Sequence, residues 1–306
     1  MGISRRNFLT QASLFTAGAF GADVVFGEEI SEQELLGYNL MAEVRQYRKF
    51  DAYATSDLSE GNIARMLDFA DRLEIEKLAV GMPMTPIKNT PDEFQSINNN
   101  IYQAVNKYPD RLVGEFTLNP LYKKESLDEI NRNIERGLIG TRLYNQVKIN
   151  DPLYFPIIER LADLNMLVFM HGECQLGVGG YRMKYDAKKP ISTSTPADFV
   201  EAATRYPEAM FQFAHIGGGS DWECMCKTFE NHPNIYVDTG GSNNEENMVD
   251  VALQYLGEDR LFFGTDNSYY QSVGKILSSN LSVVQKEKLF FKNYVQVLKK
   301  GGFYVD

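Results

Sequence analysis

From about residue 48 onward the chain alternates two hydrophobic patterns. Short apolar runs occur at Lys49–Ala54, Lys77–Val80, Leu112–Leu118, Gly140–Leu143, Leu167–Met170, Met210–Ala214, Ile235–Val237 and Leu261–Phe263. Most are not interleaved with polar residues, as expected of strands buried on both faces. Between them, apolar residues recur at helical spacing. Ile63, Met66, Leu67, Ala70 and Leu73 form one stripe. Leu127, Ile130 and Ile134 form another, with Asp128 and Glu129 in its first turn. Phe199, Ala202 and Ala203 follow Ser194-Thr195-Pro196, a favourable helix start. Further helices are expected over Asp221–Phe229, Glu245–Leu256, Ser272–Leu277 and Ser282–Lys299.

Eight short strands interleaved with helical stretches over about 250 residues predict a (β/α)8 TIM barrel. An open doubly wound sheet more often carries a glycine-rich phosphate loop after its first strand, and this sequence has none there. Residues 48–306 read as one barrel, entered by a polar arm over 27–47. The connection from Gly172 to Thr195 is long and carries Tyr181, Arg182 and Lys184. Loops of that length are usually functional, and this one is expected over the C-terminal face.

The first 26 residues follow a different plan. Ser4-Arg5-Arg6-Asn7-Phe8-Leu9 precedes a weakly apolar run to Phe26, with no charge until Asp23. A basic start, a short apolar centre and small residues near a cleavage point describe a secretory signal. The motif resembles the twin-arginine export signal, which implies passage to the periplasm or cell envelope in a folded state. No later apolar run reaches the roughly 18 residues of a membrane-spanning helix.

Composition narrows the chemistry. With 31 basic and 41 acidic residues the formal charge is −10. Removing residues 1–22 takes away Arg5 and Arg6, leaving 29 − 41 = −12. That balance disfavours nucleic acid and anionic membranes as partners and leaves a small molecule as the expected substrate. The three cysteines exclude a four-cysteine zinc site, and the odd number argues against a disulfide framework.

Barrel chemistry sits just after each strand. Reading those positions collects His171 and Glu173 after the fifth strand, His215 after the sixth and Asp266 after the eighth. Imidazole and carboxylate together suit zinc or a similar divalent metal. Glu173 is a candidate ligand or general base. Arg142 after the fourth strand is a candidate for binding a substrate carboxylate, and Tyr181 and Arg182 for an anion-recognising lid.

Two of these motifs carry a family resemblance. Phe213-Ala214-His215-Ile216-Gly217-Gly218 and Phe263-Gly264-Thr265-Asp266 resemble the amidohydrolase superfamily. The helix Pro196-Ala197-Asp198-Phe199 through Arg205-Tyr206-Pro207 supports the match. The nearest branch resembles aminocarboxymuconate semialdehyde decarboxylase and its relatives. The resemblance implies a metal-dependent hydrolase or lyase acting on a small polar or carboxylated substrate. It implies a divalent metal, zinc first, with His171, His215 and Asp266 as its ligands. Asp266 and His215 then also serve the chemistry, and homodimers are common in the group.

One departure bears on all of this. Members usually carry His-x-His after the first strand, where this chain has Tyr53 and Thr55. Tyr53 is therefore read as a substrate-facing residue. Two other readings stay open: a barrel that has lost catalysis and kept a binding or scaffold role, and metal-independent catalysis with His171 and Asp266 as acid and base.

Overall fold

The computed structural model describes residues 39–83, 90–174, 192–219 and 221–303. The chain divides into two units, Met1–Leu40 and Met41–Asp306, and all eight strands lie in the second. The export motif at Arg5-Arg6, and Tyr181, Arg182 and Lys184 of the long loop, lie outside the described residues.

The strands are β1 (Lys49–Thr55), β2 (Ile75–Gly81), β3 (Leu112–Phe116), β4 (Gly140–Thr141), β5 (Leu167–His171), β6 (Met210–Ala214), β7 (Ile235–Asp238) and β8 (Leu261–Phe262). All their pairings are parallel, in two runs, β1-β2-β3-β4 and β5-β6-β7-β8. Backbone hydrogen bonds close both seams. Leu143 N–H donates to Phe169 O at 2.7 Å, and Ala52 N–H donates to Phe263 O at 2.8 Å. The result is a closed (β/α)8 barrel, whose working face is the end where the strands finish.

The helices are α1 (Leu40–Gln46), α2 (Glu60–Arg72), α3 (Pro91–Lys107), α4 (Lys123–Glu135), α5 (Phe155–Asp163), α6 (Pro196–Arg205), α7 (Trp222–Phe229), α8 (Met248–Leu256), α9 (Tyr269–Leu277), α10 (Val283–Glu287) and α11 (Asn293–Lys300). Three features differ from expectation. The end of the polar arm is helical: Val44 in α1 and Tyr47 after it are buried. Helices α3 and α5 were not among the expected ones, although α3 carries an apolar stripe, Phe94, Ile97, Ile101 and Ala104; α3 also buries Asn98, whose amide donates to Thr117 O and to Glu129 Oε2, both at 3.0 Å. The expected Ser282–Lys299 helix is broken by a π-helical turn, Lys288–Lys292.

That turn helps close the bottom of the barrel. Phe291, Tyr294 and Leu298 pack with Phe50, Leu167, Met210 and Phe262. A separate outer core joins strands to helices through residues such as Phe199, Phe213 and Phe229. Each such side chain contributes about 1.5–3 kcal/mol on burial. The barrel interior between these cores is polar: Asp51, Glu115, Arg142, Gln212 and Asp238 are all buried. In β1 the register with β2 slips between Asp51 and Ala54, and such irregularities re-aim side chains. Tyr53 clusters there with Phe169 and Ala214.

Candidate active site

His215 follows β6 with φ of 68°, in the left-handed region that side chains with a Cβ seldom adopt. Its Nδ1 lies 2.8 Å from Asp238 Oδ1 at the end of β7. Its backbone N–H donates to Asp238 Oδ2 at 3.2 Å. Gly240 N–H and Gln212 Nε2 also donate to this carboxylate, at 2.9 and 3.2 Å. Burial by itself pushes the Asp238 carboxyl up, but His215 and these donors outweigh it and hold the group below the usual carboxylate range. An ionised Asp238 places the imidazole proton on Nδ1 and turns Nε2 toward the open end of the barrel.

The loop after β7 encloses the ring. A Cβ on Gly241, whose φ is 75°, would sit 2.8 Å from His215 Cγ. Only glycine permits both that backbone and that approach. Lys275 in α9 holds the same loop, its Nζ donating to Thr239 O at 3.1 Å and Gly241 O at 3.0 Å. Burial lowers the Lys275 pKa to about 8.

Asp266 Oδ2 lies 3.5 Å from His215 Nε2. Asp266 also has a positive φ, 45°, and its N–H donates to Tyr53 O at 2.9 Å across the β8–β1 seam. Burial raises its pKa, and His215 pulls back only part of that shift. Strained backbone at two facing residues is the kind of cost that functional sites carry. The His171 ring stands edge-on to that of His215, with centroids 5.4 Å apart.

Behind this group, Thr265 N–H and Oγ1 donate to Asp51 at 2.9 and 2.5 Å, and Tyr53 N–H donates to it at 2.9 Å. Burial raises the Asp51 pKa to about 7. Asp51 thus fastens the start of the Asp266 segment to β1.

Arg142 requires a correction. It was expected to face a substrate carboxylate, but it is buried and its guanidinium is spent within the protein. Nε donates to Glu115 Oε2 at 2.9 Å, and Nη1 donates to Ala54 O and Thr55 Oγ1, both at 2.9 Å. Its Cζ lies 4.1 Å from the Tyr53 ring centroid. The other face of this part of the site is His215, whose ring centroid is 4.6 Å from that of Tyr53.

The structure therefore gathers Tyr53, His171, His215 and Asp266, with Asp238 and Lys275 as supports. Asp238 and Lys275 are the important residues that sequence reasoning passed over. Asp238 had a visible signal, its place at a strand end before Gly240-Gly241. Lys275 had none, because its target is backbone carbonyls. Glu173 is half-buried, and its N–H donates to Ser194 O at 2.9 Å, pinning the chain just beyond β5. Among the described residues, no three His, Cys, Asp or Glu side chains are arranged to hold a metal ion. The ligand set expected of His171, His215 and Asp266 is not assembled, and Tyr53 and Thr55 add only hydroxyls.

A pocket of about 450 Å³ lies among residues that follow β1 and β8 and residues of α2, next in the chain to Asp266 but not lined by it. Thr55, Asn62, Arg65, Phe69, Asn267 and Tyr269 are among its lining residues. Phe69 and Tyr269 stack with centroids 5.4 Å apart and form an aromatic wall.

Residues 61–272 match the sequence profile of the amidohydrolase family, and this span includes His171, His215 and Asp266. The chain belongs to the amidohydrolase family. This amidohydrolase is 31% identical over 240 residues to a 2-amino-3-carboxymuconate-6-semialdehyde decarboxylase from Dictyostelium discoideum. The match covers 68% of the chain and spans 66% of that relative's length. Among solved structures, 2,6-dihydroxybenzoate decarboxylase bound to 2,6-dihydroxybenzoate shares the fold, with a TM-score of 0.66 and 14% identity. That match covers 84% of this chain and all (100%) of the other. The 5-carboxyvanillate decarboxylase from Novosphingobium aromaticivorans, solved with manganese and a nitrobenzoic acid, gives a TM-score of 0.63 at 19% identity. It covers 79% of this chain and 80% of its own. A divalent metal thus belongs to solved proteins of this fold.

Proposed function

We propose that this amidohydrolase is a carbon–carbon lyase that removes carboxylate from a small carboxylated aromatic molecule. The observation that carries the reading is the line Asp238–His215–Asp266. Asp238 fixes the imidazole, and Nε2 then faces a carboxyl group whose pKa burial has raised. A carboxyl whose pKa is raised by burial holds its proton more readily than an exposed one and can act as an acid. The decarboxylase relative and the decarboxylases of the same fold support the substrate class. The aromatic wall of Phe69 and Tyr269 suits a planar ring.

In this reading Asp266 gives its proton to the substrate carbon that bears the carboxylate. The bond from that carbon to the carboxylate breaks, its electron pair stays with the ring, and carbon dioxide leaves. His215 Nε2 takes a replacement proton from water and returns it to Asp266, with Asp238 stabilising the passing imidazolium. The net change consumes one proton and exchanges carboxylate for hydrogen. Zinc was the ion expected from the sequence. The described donors do not fit one, so no step is routed through a metal.

The test is carbon dioxide release from a panel of hydroxybenzoates and carboxymuconate-like acids by the purified protein. Turnover of one of them, lost in His215→Asn and Asp266→Asn, is the expected outcome. Ligand binding with no release from any of them would favour the binding-only barrel, for which Tyr53 and Thr55 are the evidence.

We also propose export by the twin-arginine route, on the strength of Ser4-Arg5-Arg6-Asn7-Phe8-Leu9. Retention of Arg5→Lys, Arg6→Lys protein in the cytoplasm is the expected result, and unchanged export would refute it.

A further inference from the structure

The two positions where the family usually keeps first-strand histidines do not point to an empty corner. Both are engaged by one cation. Arg142 donates from Nη1 to Thr55 Oγ1 at 2.9 Å, and its Cζ lies 4.1 Å from the Tyr53 ring centroid. The same guanidinium is 3% exposed and pairs with Glu115, also 3% exposed. Its remaining contacts run to Ala54 O at 2.9 Å and Ala79 O at 3.3 Å, backbone carbonyls of β1 and β2. Space is kept for it, since a Cβ on Gly81 would sit 2.6 Å from Arg142 Nε.

We propose that Arg142 is the resident cation of this side of the site, and that the barrel takes up no divalent metal ion beside His215. The proposal rests on the functional reading only for the location of the site. Three features carry it. First, the volume between Arg142 and His215 is filled by the Tyr53 ring, 4.1 Å from one and 4.6 Å from the other. Zinc bonded to imidazole needs its nitrogen at about 2.0–2.1 Å, with other donors around it. Second, among the described residues, the donors on the first-strand side of the site are poor. Thr55 already accepts a hydrogen bond from a cation, and phenol and alcohol oxygens bind divalent ions only weakly unless deprotonated. Third, an arginine is charged at every accessible pH and cannot leave by losing a proton. A ring face against a desolvated guanidinium is a favourable cation–π contact, so the arrangement is stable without an ion.

The experiment is a calorimetric titration of chelator-stripped full-length protein with manganese chloride, repeated with zinc chloride and read beside bound-metal analysis after dialysis. It needs no substrate, so it succeeds or fails independently of the lyase reading. Uptake well below one ion per chain is expected for both metals. One ion per chain, lost in His215→Ala, would overturn the proposal. A Tyr53→His, Thr55→His double variant that keeps Arg142 tests the part played by the cation, with circular dichroism to establish folding. Uptake should stay substoichiometric in that variant. One ion per chain there would show that missing histidines alone exclude the metal, and would remove Arg142 from the account. If the double variant does not fold, the titration is repeated on Tyr53→His alone, in which substoichiometric uptake supports the proposal and one ion per chain would remove Arg142 from the account.

Discussion

Asp238 Oδ1 lies 2.8 Å from His215 Nδ1, and this contact decides which imidazole nitrogen faces Asp266. The carboxylate is fully buried and accepts four hydrogen bonds, two of them from His215 itself. Its job is to set a tautomer and a direction.

Asp238→Asn keeps the shape and removes the charge. The amide can no longer stabilise an imidazolium, and its Nδ2 opposes one of the present donors. Turnover is expected to fall by about 10²–10⁴-fold, the range of a lost general acid–base contribution. Steady-state kinetics checks this, and an unchanged kcat would contradict the relay.

Gly241→Ala places a methyl 2.8 Å from His215 Cγ on a backbone with φ of 75°. Strain of that kind costs about 1–3 kcal/mol. Urea denaturation should show this loss, and kcat should fall while the fold, read by circular dichroism, persists. A residue at the same loop that touched nothing would lose stability alone.

Arg142→Met leaves Glu115 buried without its partner. Breaking such a pair from one side costs about 3–5 kcal/mol, whereas apolar replacement of both partners is often tolerated. The single variant should therefore be much less stable in urea than the Arg142→Met, Glu115→Leu double variant. Equal losses would mean that the backbone contacts of Arg142, not its ion pair, dominate.

Asp51 gives a stability signature in pH. Its pKa is raised to about 7 by burial, above the roughly 3.9 of an exposed aspartate. Between these values the folded protein binds more protons at this site than the unfolded chain. Its contribution is fully present below the unfolded pKa and is lost as pH rises toward and through about 7. Chemical denaturation across pH 4 to pH 7, about the window just derived, should show this decline, and Asp51→Asn should flatten it. A variant with the same slope as the parent would assign the dependence to other groups.

The sequence by itself determined the barrel and the rim. A strand buried on both faces must be apolar nearly throughout, so β6 was legible to the residue, Met210–Ala214. His215 and Asp266 were legible because barrel strands deliver their next residues to one face. Where side chains are buried but polar, that logic fails. Helix α3 shows its stripe in the sequence, Phe94, Ile97, Ile101 and Ala104, but the burial of Asn98 among them depended on partners elsewhere in the chain, Thr117 and Glu129. Arg142 was misread for the same reason. A charged residue at a strand end looks like a ligand-binding group until its partners are known, and Glu115, Thr55 and Ala54 come from other strands. The Tyr53 side chain depended on a register slip in β1 that no pattern of residue types announces. Local hydrophobic pattern fixes which strands form and where they end. The charge balance of the interior depends on residues far apart in the chain, and only the closed barrel brings them within hydrogen-bonding distance.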